Sequence, residues 1–178
     1  MFDSPFQNST STQQHRDEAP VSVGFAVLTV SDTRTKDDDS SGQLIREHLR
    51  FRGHDSKGYE IVPDDGDRIR TQLEAWLADP AISAIIVNGG TGIAGRDVTF
   101  PIIDSLIQKQ MPGFGEIFRM LSWQEVGSAS MLSRATAGVH QNTVIFSLPG
   151  SSNAVRLALE KLIGPELGHV VHEIRKQA

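Results

Sequence analysis

Three short runs of strand-forming residues, Val23–Val30, Tyr59–Val62 and Ala84–Val87, each hand over to a segment whose apolar residues recur at helical spacing. Leu44, Ile45, His48 and Leu49 follow the first run, and Gly53 marks the expected helix end. Ile69, Leu73, Trp76 and Leu77 follow the second, with Asp67 as the expected cap and Pro80 beyond. After the third, Pro101 suits a first helical turn, Thr99 is the expected cap, and Ile102, Ile103, Leu106 and Ile107 form the apolar stripe. Strands that alternate with helices pack as an α/β fold, with a mostly parallel sheet and helices on both faces.

The second half is less regular. Ile117, Met120 and Leu121 predict a helix over 116–125, and the region around Gln110–Met111 reads as loop. Residues 134–150 predict a small hairpin turning at Gln141–Asn142. Leu157 and Leu162 predict a helix that Gly164–Pro165 should break, before a last helix with Leu167, Val170, Val171 and Ile174.

The chain has 178 residues, which suits a single domain over 21–178. Residues 1–20 are polar, lack an apolar signal core and read as a disordered tail. There is no cysteine, so disulfides and thiolate zinc sites are excluded, and a reducing, cytoplasmic setting is expected. No apolar run approaches the roughly 18 residues of a membrane helix. With 17 Lys plus Arg against 22 Asp plus Glu, the net charge of −5 argues against a nucleic-acid partner. Any polyanionic ligand must then be met by local donors or a metal.

In such sheets ligands lie beyond the carboxyl ends of the strands. Topology should bring four segments there: 31–33, 62–67, 88–99 and 149–153. Gly89, Gly90 and Gly92, with Thr91, allow main-chain N–H groups to converge as an anion nest. Gly90, Gly92 and Gly95 also satisfy G-x-G-x-x-G, but no helix opens directly from them, and no Lys-Ser or Lys-Thr closes a P-loop. Asp97 then needs a reason. Like charges 4 Å apart near a surface repel by about 4 kcal/mol. A Mg²⁺ ion held by one or two carboxylates and by phosphate oxygens relieves that cost. An ion pair with Arg96, or a cap on the Pro101 helix, accounts for Asp97 equally well. Asp64 and Asp65 make good turn-and-cap chemistry, and topology brings Asp64 to the edge that carries Asp97. His169 and His172 lack a third metal ligand nearby. The acidic run Lys36–Asp39 reads as a solvated loop, Phe114, Ile117 and Phe118 as core or subunit contact, and Ser31 as a hydrogen-bond donor.

Six segments in order, VSDTR at 30–34, VPDD at 62–65, GGTGIAGRDVT at 89–99, PGFGEIFRMLS at 112–122, SRATAG at 133–138 and LPGSSNAV at 148–155, carry a resemblance. The chain resembles the MoaB/MogA family of molybdenum-cofactor biosynthesis proteins, and SWQEVGSASMLSRATAG and PGSSNAV resemble its MoaB branch. The resemblance implies a MogA-like α/β fold that assembles as a homotrimer or homohexamer. It implies Mg²⁺-dependent adenylylation of molybdopterin by ATP, with release of pyrophosphate. Asp64 and Asp97 match the family's two functionally important aspartates, and are the expected Mg²⁺ ligands. Gly89, Gly90, Thr91 and Gly92 match its glycine loop, and Ser31, Asp32, Pro149, Gly150 and Ser151 match other pocket segments. Ser31, Ser133, Arg134 and Ser151 are expected to contact either ligand. The alternative is a carrier that holds molybdopterin without chemistry.

Overall fold

The computed structural model describes residues 22–93 and 97–176. The proposed tail at 1–20 and the Asp97–Arg96 pair therefore lie outside the described residues. The elements run β1 (Gly24–Val30), α1 (Ser40–Phe51), β2 (Asp55–Val62), α2 (Gly66–Leu77), β3 (Ala84–Asn88), α3 (Thr99–Leu106), β4 (Lys109–Gln110) and α4 (Pro112–Val126). A 3₁₀ turn (Gly127–Leu132), β5 (Thr136–His140), β6 (Thr143–Leu148), α5 (Ser152–Ala158), a π-type turn (Leu159–Ile163) and α6 (Gly164–Arg175) complete the chain.

Six strands form one sheet in the order β2-β1-β3-β6-β5-β4. β2, β1, β3 and β6 are parallel, whereas β5 and β4 join antiparallel at one edge. Successive side chains of a strand point to opposite faces. Phe25 and Val27 accordingly enter one core with α1, α4, α5 and α6, while Ala26, Leu28 and Val30 enter a second with α2 and α3. The expected α/β fold, mostly parallel and covered on both faces, is what the chain adopts.

Several boundaries differ for identifiable reasons. β2 begins at Asp55, four residues before the expected run, because it pairs with β1 from Gly24 to Val30, with a register shift that skips Lys57. Asp65, not Asp67, caps α2, its carboxylate accepting from Arg68 N–H at 3.0 Å. Thr99 caps nothing; it lies inside α3, and its buried side chain packs toward Gly90. Lys109–Gln110 is a two-residue edge strand held by β5, a pairing with no signature in so short a stretch. Gly164–Pro165 does not break the chain's helical path, because the proline sits in the first turn of α6, where no N–H donor is needed. The turn at Gln141–Asn142 falls as expected, with Gln141 at φ 49°.

Candidate functional site

The carboxyl ends of β1, β3 and β6 meet at Gly89. Its N–H donates to Leu148 O at 3.1 Å. A β-carbon on Gly89 would lie 2.2 Å from Val30 O, and one on Gly150 would lie 3.2 Å from Gly89 Cα. Gly89 also has φ +97°, which L side chains rarely adopt. Gly89→Ala is therefore expected to cost at least about 2 kcal/mol, since the left-handed backbone alone costs roughly 1–2 and the main-chain clash adds to it. Urea unfolding checks this: the midpoint should fall with an unchanged slope.

The glycine loop continues through Thr91, which is buried, to Gly92, which is exposed. A β-carbon on Gly92 would lie 2.5 Å from Asp97 Oδ2, so the half-buried Asp97 carboxylate rests against the loop. Asp64 follows β2 and stands on a turn tied to the end of β1. Its N–H donates to Asp32 Oδ1 at 3.0 Å, and Ser31 N–H donates to Val62 O at 2.9 Å. Two residues on, a β-carbon at Gly66 would lie 3.5 Å from Ile102 Cδ1 and 4.0 Å from Val98 Cγ2. The first residue of α2, two past Asp64, thus lies against Val98 and Ile102. Ser31 Oγ accepts from the N–H groups of Thr33 and Arg34 at 3.3 and 3.2 Å, a turn contact that leaves its own O–H to donate.

Beside the loop opens a cavity of about 520 Å³. Gly89, Gly90, Thr91, Gly92, Ser133, Pro149, Gly150 and Ser151 form its polar side. Phe118, Val126, Leu132, Ala154 and Leu157 form an apolar wall. Ser151 also caps α5, accepting from Ala154 N–H at 3.2 Å. Ser31, Asp32, Asp64, Asp97 and Arg134 do not line the cavity; they flank or support the loop beside it. Among the described residues, no three His, Cys, Asp or Glu side chains are grouped to hold a metal, and this includes the helix with His169 and His172. His169 Nδ1 instead lies 2.9 Å from Glu166 Oε2.

Two features under the site were not anticipated. Arg134, expected to contact a ligand, donates to the main-chain carbonyls of Thr91, Gly92 and Asp97. Asp39, expected in a solvated loop, is fully buried. Its Oδ2 accepts from Thr29 Oγ1 at 2.5 Å and Tyr59 OH at 2.9 Å. Its Oδ1 accepts from Ser41 Oγ at 2.9 Å, Gly42 N–H at 3.0 Å and Arg34 Nη1 at 3.2 Å. Burial pushes the Asp39 carboxyl up, but hydrogen bonds from Thr29, Gly42, Tyr59 and Ser41 outweigh it and hold the group below the ordinary carboxylate range. Ser41 Oγ also lies 2.8 Å from Asn88 Oδ1, its one proton shared between that oxygen and Asp39, and Arg34 Nη2 donates to Gly150 O at 3.1 Å. Asp39 thereby links β1, β2, β3 and the Gly150 turn. The sequence signal was Asp-Ser-Ser-Gly at the start of a helical stripe, an N-cap pattern.

The segments that build this site lie within residues 26–169, which match the family model described as "Probable molybdopterin binding domain". The chain belongs to that family. It is 55% identical over 167 residues to molybdenum cofactor biosynthesis protein B of Bacillus subtilis (strain 168), covering 93% of this chain and 98% of that one. A crystal structure of molybdenum cofactor biosynthesis protein B superposes with a TM-score of 0.86 at 48% identity, covering 89% of this chain and 99% of that one. The tungsten cofactor synthesizing protein MoaB from Pyrococcus furiosus gives a TM-score of 0.79 at 41% identity, with 88% and 99% covered.

Proposed function

We propose that this protein works in molybdenum-cofactor biosynthesis, transferring AMP from Mg-ATP to the terminal phosphate of molybdopterin with release of pyrophosphate. The observation that carries the reading is the meeting, at the carboxyl ends of the strands, of the Gly89–Gly92 loop, the Asp97 carboxylate against it, the turn that carries Asp64 and a mostly apolar cavity. The names of the relatives support the pathway.

In this reading an oxygen of the molybdopterin phosphate forms a bond to the α-phosphorus of ATP. The bond from that phosphorus to the bridging oxygen breaks, and pyrophosphate leaves with the electron pair. A phosphate nucleophile is already ionised at neutral pH, so the site needs positioning and charge neutralisation more than a strong base. The N–H groups of Gly90–Gly92 and the Thr91 hydroxyl hold phosphate oxygens. The wall of Phe118, Val126 and Leu157 takes an apolar, flat part of a ligand. Asp64 and Asp97 would offer Mg²⁺ hard oxygen donors, with phosphate oxygens and water completing its shell. When bound, Mg²⁺ would offset the phosphate charge that the chain's own net charge of −5 opposes.

Pyrophosphate release from Mg-ATP by the purified chain is the test, and it should require added molybdopterin. Molybdopterin binding without release would leave the carrier reading. Neither binding nor release would remove both.

Self-association as a homotrimer or homohexamer belongs to the same proposal. Met120, Trp123, Val126, Met131 and Leu132 are all exposed along α4 and the 3₁₀ turn, an apolar face of the kind subunits cover. Light scattering after gel filtration should give three or six chain masses, and Met131→Glu should lower that number. A monomeric mass for the unaltered protein would refute the assembly.

A further inference from the structure

The loop that would hold phosphate is built around a cation that does not itself enter the cavity. Arg134 is half-buried and follows Ser133, which lines the cavity, but it stands outside the lining. Its Nε donates to Thr91 O at 3.1 Å. Its Nη2 donates to Gly92 O and, at 3.3 Å, to Asp97 O. The guanidinium carbon sits 4.9 Å from the centroid of the Phe100 ring, on the first turn of α3. One side chain thus ties both ends of the glycine loop, at 91–92 and at 97, to the helix that follows.

The geometry of the peptide bond gives this tie a consequence. In a trans peptide the C=O and the next N–H point in opposite directions. A guanidinium that takes the carbonyls of Thr91 and Gly92 therefore turns the N–H groups of Gly92 and Ile93 away from itself. Thr91 and Gly92 line the cavity and Arg134 does not, so the loop stands between the cation and the ligand space. The third carbonyl is that of Asp97, whose side chain rests against Gly92.

We propose that Arg134 is a positioning residue: it binds the glycine loop from behind, orients its main-chain N–H groups toward the anion and sets where Asp97 begins. It does not contact phosphate. The proposal rests on the reading of the loop as a phosphate site, but not on the transfer chemistry. Lysine cannot replace arginine in this role, because an ammonium is a point charge and has no planar fork to span separate carbonyls. A direct phosphate contact would behave differently, since losing it would leave the loop's order without ligand unchanged.

The test uses the full chain with Arg134→Lys, Arg134→Met and Phe100→Leu. Mg-ATP binding is read by calorimetry, AMP transfer by kinetics, and loop order by ¹⁵N relaxation without ligand. Arg134→Lys and Arg134→Met should both lose about 100-fold in kcat/KM, the scale expected when reacting groups are misplaced by about 1 Å. Phe100→Leu, which keeps the hydrogen bonds and removes only the ring, should lose less than either. The order parameters of the Gly92 and Ile93 amides should fall from roughly 0.85 toward 0.6 in both arginine variants. Near-native Mg-ATP affinity and turnover in Arg134→Lys would overturn the proposal, because charge alone would then suffice. Unchanged loop order in both arginine variants would overturn it as well. If Arg134→Met does not fold, the lysine and Phe100 variants still decide. If the unaltered protein transfers no AMP, the functional reading fails by itself, and the relaxation comparison still judges Arg134.

Discussion

Asp97→Asn should lower AMP transfer by at least about 100-fold while leaving the thermal midpoint close to that of the unaltered chain, the scale of removing one preorganised electrostatic group from an active site. Asparagine has the same shape, so the contact against Gly92 survives and the loop keeps its course. What disappears is the negative charge. An amide oxygen is a weaker ligand for a hard cation, and without a bound cation the charges on two phosphate-bearing substrates go unopposed. The loss should appear in kcat and should shrink only in part when Mg²⁺ is raised. Full activity in Asp97→Asn would mean that this carboxylate takes no part in transfer. The companion change, Gly92→Ala, tests the same contact from the other side. Its new methyl would lie 2.5 Å from Asp97 Oδ2, so the carboxylate must move and activity should fall with little change in stability.

Asp39→Ala is the change expected to harm the fold most. It removes a buried acceptor shared by Thr29, Ser41, Gly42, Tyr59 and Arg34. Each buried donor left without its acceptor costs about 1–3 kcal/mol. Against a total stability of about 5–15 kcal/mol, that is a large share. Chemical unfolding at neutral pH measures it. Asp39→Asn should cost less, because an amide still offers one oxygen.

The same residue predicts an acid response. The Asp39 carboxyl is held below its ordinary value in the folded chain, so the unfolded state takes up its proton first. Its contribution is present above the unfolded pKa of about 3.9 and is lost as pH falls from there through the lower folded value. Unfolding curves between neutral pH and the acid range should show a fall in stability that Asp39→Asn reduces. A fall of equal size in the variant would assign the acid response to other carboxylates.

Asp97 and Asp39 differ in how much of their placement could be read from the residues around them. Asp97 stood out because it is a carboxylate close after a glycine-rich strand end, although an ion pair or a helix cap explains such a residue equally well. Asp39 follows three other charged residues, Lys36, Asp37 and Asp38, and although Asp-Ser-Ser-Gly marks it as a helix cap, nothing local marks it as buried. Its burial is decided by Thr29, Tyr59 and Arg34, which reach it from two strands and a loop. Arg134 is a similar case. A basic residue near a phosphate site suggests a ligand contact, and only the fold shows its donors spent on carbonyls more than 35 positions away in the chain.

The sequence by itself determined the alternation of strands and helices, the faces each one buries, the glycine loop and the sheet edge to which the acidic turns belong. These depend on side-chain period and on the backbone freedom of glycine, properties of neighbouring residues. The tertiary structure alone decided that β4 exists, that Gly164–Pro165 continues a helical path, that Asp39 is buried and that Arg134 faces the loop. Each of these depends on a partner far away in the chain, and whether a polar group meets water or another polar group is settled only when those segments pack together.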